Sequence, residues 1–120
     1  MAKYNILQEK SFAFAVRIVN LYKYLCDEKK EYVLSKQILR CGTSVGANLE
    51  EGIGAQSEKD FLSKISISYK EARETTYWLK LLFATNYLSK EQTDSLLQDA
   101  DELCKILAKI ILTLKNKLQL

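Results

Sequence analysis

Leu96, Ala100, Leu103, Leu107, Ile110 and Leu114 alternate spacings of four and three residues, and no other feature limits the fold of this chain as tightly. That spacing draws a heptad-like seam along one face of a long helix. A second set, Leu97, Cys104, Ile111 and Leu118, broadens the same face. Such a seam has to be covered by other helices, and near-heptad packing favours shallow crossing angles. The expected fold is all-α, a left-handed antiparallel up-down four-helix bundle. The chain contains no proline, so no helix interior is broken by one. Its 120 residues make one domain, 1–120. A chain of that size buries roughly two-thirds of its unfolded surface, enough for a core without metals or disulfides.

The helix boundaries follow from capping signals. Asn5 and Gln8 suggest an N-terminal cap for a first helix running to about Lys29, where charged residues mark a turn. Ser35 is the expected N-cap of a second helix ending at Gly52, with Gly54 suited to a left-handed C-cap. Ser57 and Asp60 open a third helix reaching about Thr85, and Asn86 and Tyr87 turn the chain. Ser89 and Gln92 form a capping box for the fourth helix. The second helix offers the core stripe Leu34, Ile38, Cys41, Val45 and Leu49, and the third offers Phe61, Ile65, Ala72, Thr76, Leu79 and Phe83.

The first helix is apolar on two sides. One stripe is Phe12, Ala15, Val19, Tyr22 and Cys26, and the other is Phe14, Ile18, Leu21 and Leu25. A lone bundle needs one of them for its core, so the other calls for a second subunit. The third helix carries an off-core apolar patch as well, Ile67, Trp78, Leu81 and Leu82. The expectation is a homo-oligomer whose interface is built from Phe14, Ile18, Leu21, Leu25, Ile67, Trp78, Leu81 and Leu82.

Lys59, Lys70, Arg73 and Lys80 run along the third helix with Ser63, Ser66 and Tyr77 between them. Cations interleaved with hydroxyls and an aromatic can follow a phosphate backbone. The competing reading is a solvated face whose lysines pair with Glu71 and Glu74. Lys10, Arg17, Lys105 and Lys109 are open to the same two readings. A net charge of +3 permits nucleic-acid binding without requiring it. On the second helix Gln37, Arg40, Ser44, Asn48 and Glu51 form a polar line, read as a hydrogen-bond network between helices or subunits, with a ligand pocket as the alternative. Gly42 and Gly46 make a G-x-x-x-G step flanked by Arg40 and Glu50, which points to close helix approach rather than a membrane dimer.

Other functions find little support. The absence of histidine removes the commonest general base and metal ligand, and with it the Glu-x-x-His pairs of di-iron bundles. There is no phosphate-binding glycine loop and no nucleophile elbow, and Glu50 and Glu51, being adjacent, point to different sides of a helix. No catalytic residue, cofactor or metal is expected. Three cysteines, Cys26, Cys41 and Cys104, lack C-x-x-C spacing and read as reduced core thiols. No apolar run approaches the ~20 residues of a membrane span. The N-terminus lacks a signal peptide's apolar core. A cytoplasmic protein is expected.

The second helix also carries a recognisable motif. Ser35-Lys-Gln-Ile-Leu-Arg40 followed by Ser44-Val-Gly-Ala-Asn48-Leu-Glu-Glu-Gly52 resembles the signature of the 23S rRNA intervening-sequence protein family, also called four-helix bundle proteins. Lys59-Asp-Phe61, Ser68-Tyr-Lys-Glu-Ala72, Trp78-Leu79 and Asn86-Tyr87-Leu88-Ser89 fit the rest of that pattern. Many members carry proline where this chain has Gly46. The resemblance implies a small bacterial cytoplasmic bundle and a ring-like homopentamer. Related accessory proteins of diversity-generating retroelements bind nucleic acid and a reverse transcriptase through basic surfaces. Two readings of function remain open: a non-enzymatic homo-oligomer, pentameric by resemblance, that binds RNA or a nucleic-acid-handling partner, and a protein-binding scaffold with no nucleic-acid contact.

Overall fold

A computed structural model describes residues Ala2–Leu120. A 3-10 turn, Ala2–Tyr4, leads into four helices: α1 (Asn5–Asp27), α2 (Leu34–Ile53), α3 (Glu58–Ala84) and α4 (Lys90–Leu118). Among the described residues there is no strand, and no helix is long and apolar enough to cross a membrane. Consecutive helices pack together and α4 also meets α1, so α1 and α3 face each other only across the diagonal of the bundle. The whole measures 47 × 22 × 21 Å.

Two of the four helix starts follow the serine caps. The Ser57 hydroxyl accepts the Asp60 N–H at 3.1 Å. Ser89 and Gln92 satisfy each other's backbone amides in a reciprocal box. The other two starts differ. Asn5 is already the first residue of α1, and the cap position belongs to Tyr4, which offers no side-chain acceptor to the helix. At α2 the N-cap position belongs to Val33, and the capping side chain is that of Glu31 rather than Ser35. Its carboxylate accepts the N–H groups of Val33, Leu34 and Ser35, the last at 2.7 Å. A carboxylate reaches further than a hydroxyl, and its charge suits the positive end of a helix. Ser35 therefore sits inside α2, where its hydroxyl donates to the Glu31 carbonyl at 2.9 Å. Burial opposes ionisation of Glu31, but the three amides outweigh it and hold the carboxyl below its ordinary 4.5.

Gly54 does not make the left-handed turn expected of it. It closes α2 with φ −85°. The left-handed residues at the helix junctions are Lys30 and Asn86. At Asn86 the end of α3 is tied off by bonds from the Asn86 N–H to the Phe83 carbonyl and from the Tyr87 N–H to the Leu82 carbonyl, a Schellman arrangement.

The α4 seam is buried as its spacing predicts, apart from half-buried Ile110, and Ile38, Cys41, Val45 and Leu49 of α2 are fully enclosed. On α3 the line differs. Thr76 is half-buried and Phe83 is 43% exposed, while Thr75 and Leu82 take the inward positions. The inward series is Phe61, Ile65, Ser68, Ala72, Thr75, Leu79 and Leu82, a regular four-three alternation hidden by two polar members. Each polar member finds a partner on α2. The Ser68 hydroxyl donates to the Val45 carbonyl at 2.7 Å, and the Thr75 hydroxyl lies 3.3 Å from the Cys41 sulfur.

The same disguise operates on α1. Its core stripe is Leu7, Ser11, Phe14, Ile18, Leu21 and Leu25, all at most 7% exposed. Phe14, Ile18, Leu21 and Leu25, expected at a subunit interface, are thus the chain's own core. Leu82 joins them. The glycine step decides which stripe turns inward. A Cβ at Gly42 would lie 2.7 Å from the Ile18 side chain, and one at Gly46 would lie 3.3 Å from the Ser11 hydroxyl. The missing side chains let α2 settle directly on the Ile18 line, and the G-x-x-x-G step is the close approach its spacing indicates. The stripe left outside contains Phe12, 72% exposed, with Ala15, Val19, Tyr22 and Cys26 half-buried and Val16 adjoining at 46%.

Candidate nucleic-acid interface

The charges of this bundle divide into those that are paired across seams and those that are not. On α1, Lys10 reaches Glu102 of α4 at 2.9 Å and Arg17 reaches Asp99 of α4 at 2.7 Å. Between α2 and α3, Lys64 pairs with Glu51 at 3.0 Å. Arg40 bridges to Glu71 and Glu74 of α3. Glu74 also accepts the Trp78 indole N–H at 2.9 Å. That bond, against the cost of burial and with help from Arg40, keeps the Glu74 carboxyl below its ordinary 4.5.

This arrangement settles where Glu71 and Glu74 go. They turn to α2, not to the lysines of their own helix. Among the described residues Lys59, Lys70, Arg73 and Lys80 meet no carboxylate within ion-pair distance. All four are exposed. From Lys59 to Lys80 they extend over about 32 Å of helix at ~1.5 Å per residue. Arg73 donates to the Tyr69 hydroxyl at 3.1 Å and lies over its ring, 5.9 Å from the centroid. That hydroxyl fixes the direction of the guanidinium and raises its pKa further. Arg73 and Lys80 also share a depression of about 390 Å³ between α3 and α4 with Lys105, beside Asp101. Lys105 therefore extends the cationic line onto α4, whereas Lys10 and Arg17 are occupied elsewhere.

The polar line on α2 is only partly a network between helices. Arg40 and Glu51 bond to α3. Ser44 instead donates to the Arg40 carbonyl at 2.6 Å, and Asn48 donates to the Ser44 carbonyl at 2.9 Å, both within α2. Gln37 is exposed and makes no side-chain bond among the described residues. Of the expected interface set, Ile67 is 39% exposed, and Trp78 and Leu81 are half-buried. Burial lifts the Cys41 thiol to about 11, partly offset by the Thr75 hydroxyl, so it behaves as a packed apolar group.

Residues 3–109 match the family described as 23S rRNA-intervening sequence protein. The chain belongs to that family. A crystal structure of a protein of unknown function from the S23 ribosomal protein family of Bacteroides thetaiotaomicron VPI-5482 is 56% identical, with a TM-score of 0.86 over 87% of this chain and 96% of that one. No functionally curated protein matches the sequence. Within the Ser35–Gly52 motif, four residues have structural tasks in this chain. Ser35, Arg40, Asn48 and Gly52 hold the start of α2, its seam with α3, its own backbone and a tight contact, where a Cβ at Gly52 would lie 3.1 Å from Phe61.

Proposed function

We propose that this protein is a non-enzymatic, cytoplasmic homo-oligomer that binds RNA along the α3–α4 surface, and that its helices run up-down and antiparallel with a left-handed twist. The observation that carries the RNA reading is the diversion of Glu71 and Glu74 to Arg40. It draws those carboxylates away from Lys70 and Arg73, and with Lys59 and Lys80 these cations have no ion-pair partner among the described residues, although the net charge is only +3. Unopposed cations spaced along a rigid helix gain from counterion release when they meet phosphates.

Assembly is supported by exposed apolar side chains on the two diagonal helices, Phe12 and Val16 on α1 and Ile67 and Tyr77 on α3. Faces on opposite sides of one subunit suit head-to-tail contact, which closes into a ring when the rotation permits, and a pentamer is such a ring. The same apolar faces are what a protein-binding scaffold would use, which keeps that second reading open.

Fluorescence anisotropy of a labelled structured RNA across a salt series separates the two. RNA binding through the four α3 cations should show a log–log salt slope between about −3 and −4, at ~0.7 per phosphate contact on single-stranded and ~0.9 on duplex segments. Lys70→Glu with Arg73→Glu should cut affinity at least tenfold at low salt. Absence of binding at low salt sinks the RNA reading and leaves the scaffold. Light scattering on Phe12→Asp with Val16→Asp, expected to yield monomer, tests the assembly.

A further inference from the structure

A second site lies at the end of the bundle, apart from the cationic line. A cleft of about 680 Å³ opens between the N-terminal turn, the α2–α3 connection and the second half of α4. That volume falls within the ~300–1,000 Å³ typical of pockets for small organic molecules. Most of its lining is apolar, contributed by Tyr4, Ile53, Phe61, Ile110 and Leu114, with Gln56 and Thr113 among the polar members. The Tyr4 and Phe61 rings pack with centroids 5.0 Å apart, so the floor is a firm one. Space for the cleft comes from small residues. Gly52 allows Phe61 to close on α2, and Ala55 and Ser57 line the connection.

The rim of this cleft carries the opposite chemistry. Lys3, Lys109 and Lys117 stand on it against one carboxylate, Glu58. Glu58 pairs with Lys117 at 2.8 Å. Lys3 and Lys109 find no carboxylate within ion-pair distance among the described residues. Lys3 reaches back over the Tyr4 ring, 5.5 Å from its centroid. Apolar walls with two unopposed ammonium groups at the mouth complement a molecule with a hydrocarbon or aryl body and an anionic head. We propose that this cleft binds amphiphilic organic anions, the apolar body against Phe61 and Ile110 and the head group between Lys3 and Lys109.

The test uses two probes, 8-anilinonaphthalene-1-sulfonate, read by its fluorescence, and decanoate as a competitor below its micelle concentration. One probe should bind per chain and decanoate should displace it. The Lys3→Glu with Lys109→Glu variant should weaken both ligands at least tenfold, while Lys70→Glu with Arg73→Glu leaves them unchanged. Uncharged 1-decanol should displace the probe far less well than decanoate. The proposal is overturned if the probe does not saturate, if the Lys3 and Lys109 charges can be reversed without effect, or if decanol competes as well as decanoate. Loss of binding with Phe12→Ser alone would place the probe on α1 and overturn it as well.

Discussion

Helix α2 has two seams, and they are built on different physics. Against α1 it relies on the absence of side chains, with Gly42 and Gly46 bringing the backbone onto Ile18 and Ser11. Against α3 it relies on polar groups, with Ser68 bonded to the Val45 carbonyl inside and Arg40 bonded to Glu71 and Glu74 outside. The steric seam fixes only the fold. The polar seam fixes the fold and also the charge pattern of the surface beyond it. Arg40 holds Glu71 and Glu74 toward α2 and so away from Lys70 and Arg73 of their own helix.

The steric seam should break hardest. Gly42→Val places atoms where a Cβ alone would already be 2.7 Å from Ile18 Cγ1 and 2.8 Å from its Cγ2. Overpacking of this kind costs about 1–3 kcal/mol, and the upper end is expected because the clash is with a buried branched side chain. For Gly46→Ala the tightest contact is the Ser11 hydroxyl at 3.3 Å, and the Ser11 Cβ and carbonyl carbon lie at ordinary contact distance, 3.5 and 3.6 Å. There the ~1 kcal/mol gained in helix propensity should cancel most of the strain. Urea unfolding at one fixed protein concentration measures both. A Gly42→Val protein as stable as its parent would refute the close apposition.

This contrast also marks what could be read in the residues. Four helices, the α4 seam, the Ser57 and Ser89 caps and the glycine step were legible because each rests on local spacing or on sterics. The choice between the two α1 stripes was not. It depends on Ser11 and on glycines some thirty residues away, and a serine in a core line looks like the line's end. Ser68 and Thr75 misled in the same way on α3. The cationic line was legible as a pattern. Its freedom from counter-charge was not, because the decisive pair joins Arg40 to residues 31 and 34 positions later. No sequence periodicity encodes the cleft at the bundle end, where the N-terminal turn and α4 meet.

Glu31 offers a test of intermediate size, because it sets the start of the helix that both seams share. Glu31→Gln should cost about 1 kcal/mol at neutral pH, in the range of a lost cap. The pH dependence has a definite sign. The folded pKa lies below the ordinary 4.5. The stabilisation is therefore complete above that value and disappears as the pH falls through the lowered folded one. The difference between parent and variant should shrink across that acid window and be constant above it. A difference that grows on acidification would show that the α2 amides are satisfied by something else.

The smallest effect on stability, and the sharpest on function, should come from Arg40. The guanidinium is half exposed, so Arg40→Gln should cost less than ~1 kcal/mol. It also frees Glu71 and Glu74 to act on the cations of their own helix, and RNA affinity should fall several-fold although Arg40 lies on the opposite side of α3 from the α4 groove. Loss of a positive charge alone would have the same sign, so a second variant is needed. Adding Glu71→Gln and Glu74→Gln removes the released carboxylates while Arg40 stays absent. If the α2–α3 seam works by sequestering acid, the triple variant binds RNA as well as the parent or better. If Arg40 itself contacts phosphate, the triple variant stays weak, and the two seams would then differ in their packing but not in what they do for the surface.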